Sequence, residues 1–139
     1  MVQAVRYRTG TNAATGRLLR GFPHLEQSLA DIWATRLDTR VIRLDYGSDL
    51  RSHLGEDITP ALALAIYNDM VEAAHTHEPE YRIADLQFVR LERSGALAIR
   101  HRGRYYPEGR FGDYQIFEER TAAPLALLDD AFSAAAVAA

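Results

Sequence analysis

At 139 residues the chain fits one domain and is long enough to bury a core without staples. It has no cysteine, which excludes a disulfide framework, a cysteine zinc site and a thiol nucleophile. All 16 basic residues are arginine, whose forked donors suit interfaces, but a formal charge of −3 argues against a surface that is basic throughout, as a DNA binder's would be.

Residues 1–21 are mixed and turn-rich. "VQAVRYR" alternates weakly and reads as an edge strand or an extended arm, and "TGTNAATGR" as a loop punctuated by Gly10 and Gly16. The N-terminal stretch carries no apolar run of the signal-peptide kind, and no window of about 18 apolar residues predicts a membrane span. Phe22, Leu25, Leu29, Ile32 and Trp33 fall at three- to four-residue spacing and predict a helix over 23–36. Pro23 suits its first turn, and Trp33 is expected as a core anchor. "TRVIRL" then reads as a short strand, followed by a turn at Asp45-Tyr46-Gly47-Ser48-Asp49. Ser48 or Asp49 is expected to cap a short helix through Leu54.

Thr59-Pro60 signals a second helix. It is expected to run to about His77, with Leu62, Ile66, Met70 and Ala74 in one row, and to stop at Glu78-Pro79 because the residue before proline avoids the helical basin. Residues 83–92 and 96–102 predict two strands about a Ser94-Gly95 turn. The apolar phase changes between Leu86, Phe88 and Val89, Leu91, which implies a bulge or burial on both faces. "RYYPEGRFGD" reads as a loop, "YQIFEE" as a further strand, and residues 124–137 as a short C-terminal helix with Leu125, Leu128 and Phe132 on one side. The expected fold is α+β: two main helices on one face of a small, mostly antiparallel sheet, with a C-terminal extension.

No convincing catalytic set emerges. Asp45/Asp49 and Glu78/Glu80 are carboxylate pairs of the kind a glycosidase needs, but acids at turns and helix ends more often cap or are solvated. His75 and His77 are two apart, not the four that places metal ligands on one helix face, and His24, His53 and His101 are isolated. Gly47-Ser48-Asp49 is not a nucleophile elbow, and no phosphate-binding glycine motif occurs. One basic cluster remains: Arg100, Arg102, Arg104 and Arg110, with His101, Tyr105, Tyr106 and Phe111, against a single acid, Glu108. This pattern fits solvated strand arginines, a protein interface or single-stranded nucleic acid, and the residues alone leave the three open.

Four stretches in order resemble the GPW-type baseplate wedge family of contractile tails, whose secretion-system relative is TssE. They are "GRLLRGFPHLEQSLADIW", "RVIRLDYGSDLRSHL" with its Y-G-S-x-L corner, "ITPALALAIYNDMVEAAHTHEP" ending in Glu-Pro, and the pair "RIADLQFV" and "ALAIRHRGRYY". The resemblance covers about residues 10–106 and leaves 107–139 as an extension of one baseplate-wedge-like domain, 1–139. It departs at one place: the family's Glu-Pro-Arg is Glu78-Pro79-Glu80 here, with Arg82 two residues on.

The resemblance implies a structural, non-enzymatic subunit of the tail baseplate, assembled in the host cytoplasm and needing no cofactor. Its implied partners are other wedge proteins and the tail sheath protein, with no nucleic acid and no membrane. The role it implies is to bind the wedge helical bundle and to seed sheath attachment by strand addition. On this view residues 41–54 are a corner: Tyr46, Gly47 and Ser48, with Glu78 and Pro79 nearby, form a partner-facing end. Arg82, Arg100, Arg102, Arg104 and Tyr105 add a basic, aromatic contact surface. The alternatives are a tail-associated peptidoglycan hydrolase and a nucleic-acid-binding module.

Overall fold

The computed structural model describes residues 4–53, 56–91, 97–122 and 125–127. After an extended arm, β1 (Thr9–Thr11) and β2 (Leu18–Arg20) form a small antiparallel hairpin. Then come α1 (Phe22–Ala34), a 3-10 turn (Leu50–His53) and α2 (Pro60–His77). The main sheet holds β3 (Tyr81–Leu91), β4 (Leu97–Tyr105), β5 (Glu118–Thr121) and β6 (Leu125–Leu127). β4 is central: β3 pairs with one side, and β5 and β6 pair with the other, all antiparallel.

Packing rather than capping makes α1. Its N-cap, Gly21, offers no side-chain cap, a device worth about 1 kcal/mol. Phe22, Leu25, Leu29, Ile32 and Trp33 are all buried, at roughly 1.5–3 kcal/mol each. Trp33 is the expected anchor, and its indole N–H donates to the Met70 carbonyl of α2 at 3.1 Å. α2 starts where the sequence signalled: the Thr59 hydroxyl accepts from the Leu62 N–H at 3.1 Å. It stops before Glu78-Pro79.

β4 alternates. Leu97, Ile99, His101, Gly103 and Tyr105 face the helices, while Arg100, Arg102 and Arg104 face out. Gly103 is required on the inner face, because a Cβ there would meet the Arg82 carbonyl at 2.3 Å and the Tyr81 ring at 2.9 Å. Phe22 lies between the rings of Tyr81 and Tyr105, at 5.9 Å from each, and closes the core from α1. The expected bulge is present: β3 shifts register twice against β4, between Ile83 and Asp85 and between Phe88 and Arg90.

Several expected elements differ. "TRVIRL" is no strand. The Asp38 N–H bonds the Leu44 carbonyl at 3.0 Å, closing the segment on itself, and Val41 and Ile42 stand 91% and 96% exposed. An alternating run becomes a strand only beside a partner strand, and here the one bridge joins Arg36 to Ser48. The expected loop at 9–17 contains β1 and is closed by its pairing with β2. Only the end of "YQIFEE" joins the sheet, at Glu118, while Tyr114, Ile116 and Phe117 lie outside it, half exposed, with Phe117 and Tyr114 against Tyr106. Leu125–Leu127 is a strand on β4, not helix, because β4 has an edge that β5 leaves unpaired there. The Ser94-Gly95 turn, Leu54, Leu128 and Phe132 lie outside the described residues. No helix among the described residues is long and apolar enough to cross a membrane.

Candidate functional site

The corner at Tyr46-Gly47-Ser48 is built by glycine. Gly47 has φ +127°, and its α-carbon passes so close to α1 that a Cβ would sit 2.4 Å from the Thr35 carbonyl oxygen. This approach lets the Ser48 N–H donate to that same carbonyl at 2.9 Å. The Ser48 hydroxyl donates to the Trp33 carbonyl at 2.9 Å, so it ties down the C-terminal end of α1 instead of capping the next turn. Tyr46 packs its ring on His77, 5.1 Å away, and its hydroxyl donates to Asp31 at 2.6 Å. Burial and that bond raise its pKa. The corner therefore lies against the last turns of α2, and all three of its residues are buried within this chain.

The Glu78-Pro79-Glu80 segment is covered by the N-terminal arm. Arg8 donates to Glu78 at 2.6 and 3.2 Å and lies 3.7 Å from Glu80, and its Nε donates to His24 at 2.9 Å. Ser28 of α1 also donates to Glu78. Arg110 stands 3.7 Å from Glu80 on the other side. Two further arm residues fasten it: Arg6 to Glu108 at 2.7 Å, and the Tyr7 hydroxyl donating to Glu118 at 2.6 Å. Burial pushes the Glu80 carboxyl up, opposed by Arg8 and Arg110. Arg6 holds Glu108 below the usual range, and the Tyr7 hydroxyl does the same for Glu118.

This clamp is what sequence reasoning missed. The only signal was the Arg-Tyr-Arg alternation of the arm, which had no partner until the fold brought four acids, Glu78, Glu80, Glu108 and Glu118, against it.

The remaining site residues separate by face. Tyr105 is fully buried, its hydroxyl pushed up to about 12 by burial and the nearby Glu80. Arg82, Arg100, Arg102 and Arg104 are exposed on the outer face of the sheet. Arg82 does not reach the acids of residues 78–80; it lies directly across from Arg104. The histidines are each engaged: His53 with Asp69 at 2.6 Å, His75 accepting from the Ile83 N–H at 3.0 Å, and His101 with the Tyr81 hydroxyl at 2.8 Å.

No family model matches the chain. A curated relative does. The chain is 35% identical over 81 residues to baseplate protein W of Escherichia phage P2, a match that spans 58% of this chain and 70% of that protein. The chain belongs to the baseplate protein W family. It is a structural component of the tail baseplate, as the resemblance implied. A chain of the postcontracted pyocin R2 baseplate superposes with a TM-score of 0.60 at 26% identity, covering 70% of this chain and 98% of that one. Two more distant structures share the fold. One is a Geobacter sulfurreducens protein provisionally assigned as a tail lysozyme (TM-score 0.57, 21% identity, 78% of this chain and 93% of that one). The other is from the anti-feeding prophage baseplate (TM-score 0.51, 19% identity, 90% and 83%).

Among the described residues, three exposed regions stand out: the Arg face of the sheet, the apolar loop at Val41–Ile42, and the aromatic segment Phe111–Phe117 beyond the family resemblance.

Proposed function

We propose that residues 1–139 act as one docking unit in the baseplate wedge, binding the wedge's other proteins and starting the sheath by strand addition, without catalysing a reaction. The observation that carries the strand-addition step is the sheet border. Among the described residues no strand pairs with the outer side of β3, which is 11 residues long. Such an edge presents N–H and C=O groups to a strand from another chain. Two N–H groups at its start are already taken, Tyr81 by the Glu78 carbonyl and Ile83 by His75, and the two register shifts twist the rest. Both features limit indiscriminate pairing and leave the edge to a strand of matching shape. The Val41–Ile42 loop adds a second contact: two large apolar side chains held in water on a closed loop are what an interface covers.

The geometry of the Glu78/Glu80 pair weighs against its serving as the acid pair of a peptidoglycan hydrolase. Glu78 and Glu80 face one guanidinium, are 6% and 2% exposed, and lie beneath the arm, which leaves no room for a sugar between them. The likeness to a provisional tail lysozyme concerns the fold alone.

Co-expression with candidate wedge and sheath proteins, followed by size-exclusion chromatography, tests the assembly reading. Co-elution is expected with at least one wedge protein, and co-elution with none overturns it. Hydrogen exchange on a complex with the sheath protein tests the edge: the β3 amides should gain protection, and unchanged exchange there removes strand addition at β3. Clearing of a cell-wall suspension that is lost in Glu78→Gln would restore the hydrolase.

A further inference from the structure

The outer face of the main sheet carries a ladder of like charges. Arg100, Arg102 and Arg104 alternate along β4, and the register sets Arg82 of β3 directly opposite Arg104. Like charges paired across strands destabilise a sheet. None of these four arginines makes an ion pair among the described residues, although Asp85 is paired across from Arg102 and Glu119 across from Arg104. Arg82, Arg102, Arg104 and Glu119 border a concavity of about 380 Å³ that also reaches Tyr106. A chain with net charge −3 has thus gathered four arginines against two acids on one open face, with Arg82 and Arg104 set directly opposite each other.

We propose that this face is the docking site for a carboxylate-rich segment of a neighbouring baseplate protein. The inference rests on the assembly reading above for the kind of partner and deepens it by naming the partner's chemistry. Arginines on alternate residues of a strand repeat about every 6.6–6.8 Å. Carboxylates on alternate residues of an extended segment repeat at the same distance, so each guanidinium fork can take one bidentately. Single-stranded nucleic acid fits less well. Binding it needs free aromatic platforms as well as positive charge. Here Arg104 already covers Phe117, 4.9 Å from the ring centre, and Tyr106 packs edge-on to Tyr114 and tilted against Phe117.

The test uses the full chain and labelled probes read by fluorescence anisotropy at low and high salt. The probes are a twelve-residue peptide alternating Glu and Thr, the matching Lys and Thr peptide, and a twelve-nucleotide thymidine strand. The acidic peptide is expected to bind at low salt and the basic one not to. R102Q/R104Q should weaken the acidic peptide at least tenfold, while R17Q/R51Q, which removes the same charge elsewhere, should change it less than twofold. Both arginines are exposed, so R102Q/R104Q should melt close to the wild-type temperature, which separates lost binding from lost folding. No peptide binding, equal loss in both double variants, or tighter binding of the thymidine strand overturns the proposal. So does self-association that R102Q/R104Q abolishes, which would make a second copy the occupant. If wedge proteins co-elute undiminished with R102Q/R104Q, this inference fails and the assembly reading stands. If they do not co-elute with the wild type, the assembly reading fails whatever the peptide does.

Discussion

Arg8, in an extended arm that belongs to no strand, grips Glu78 at the end of α2 through both terminal guanidinium nitrogens, 70 residues away in sequence. The pair is nearly buried, at 14% and 8% side-chain exposure, and the same cation serves Glu80.

Arg8→Ala should therefore cost about 3–5 kcal/mol, because it strands Glu78 and Glu80 in the interior without their cation. Arg8→Lys should recover little, since one ammonium lacks the planar fork that spans both Glu78 oxygens while the arginine Nε reaches His24. Urea unfolding of the two variants beside wild type gives both numbers. A loss under about 1 kcal/mol for Arg8→Ala would show that the clamp is a surface contact.

Gly47→Ala and Gly16→Ala form a matched pair. Both glycines have positive φ, +127° and +73°, but a Cβ at 47 strikes the Thr35 carbonyl while one at 16 meets nothing within 4 Å. Backbone strain alone costs roughly 1–3 kcal/mol. Gly16→Ala should fall in that range and Gly47→Ala clearly beyond it. Equal losses in thermal melts would mean that the corner can open without disturbing α1.

His101 makes stability depend on pH. Burial lowers its pKa to about 4 from an ordinary value of 6.5, so it stays neutral in the folded chain. Between those two values the unfolded state binds more protons than the folded one, so stability rises with pH. The contribution is full above pH 6.5 and is lost as pH falls towards 4, amounting to at most about 3 kcal/mol. His24 and His75, also lowered by burial, act in the same direction. Removing the Tyr81–His101 pair in H101F/Y81F should flatten the urea midpoint between pH 7 and 4.5 relative to wild type. An unchanged slope would assign the acid sensitivity elsewhere.

Val41→Asp with Ile42→Asp should leave stability within about 0.5 kcal/mol, because both side chains already stand in water. The same change should reduce co-elution with the wedge proteins. Undiminished co-elution would take this loop out of the interface.

Much of the fold was legible because its signals are local. The α1 stripe, the Thr59 cap with Pro60, and the stop at Glu78-Pro79 each depend on residues within a turn of one another, and all three fall where expected. The β3 bulge was visible as a change of apolar phase. The misreadings share a cause. "TRVIRL", "YQIFEE" and 125–127 are short apolar or alternating stretches whose state is set by whether a strand edge is free beside them, and composition does not record that. The candidate site residues divided for the same reason: Tyr46, Ser48, Glu78 and Tyr105 turned inward, while Arg82, Arg100, Arg102 and Arg104 turned outward.

What the sequence determined by itself was the α+β class, the two helices, the central hairpin and the glycine at the corner, since each follows from spacing, capping or a steric limit within a few residues. Only the tertiary structure decided that Glu78 and Glu80 lie beneath Arg8 and that Arg82 faces Arg104. Ion pairing and cross-strand repulsion act between side chains a few ångströms apart in space, and those distances exist only once the arm, the helix end and the strands have packed together.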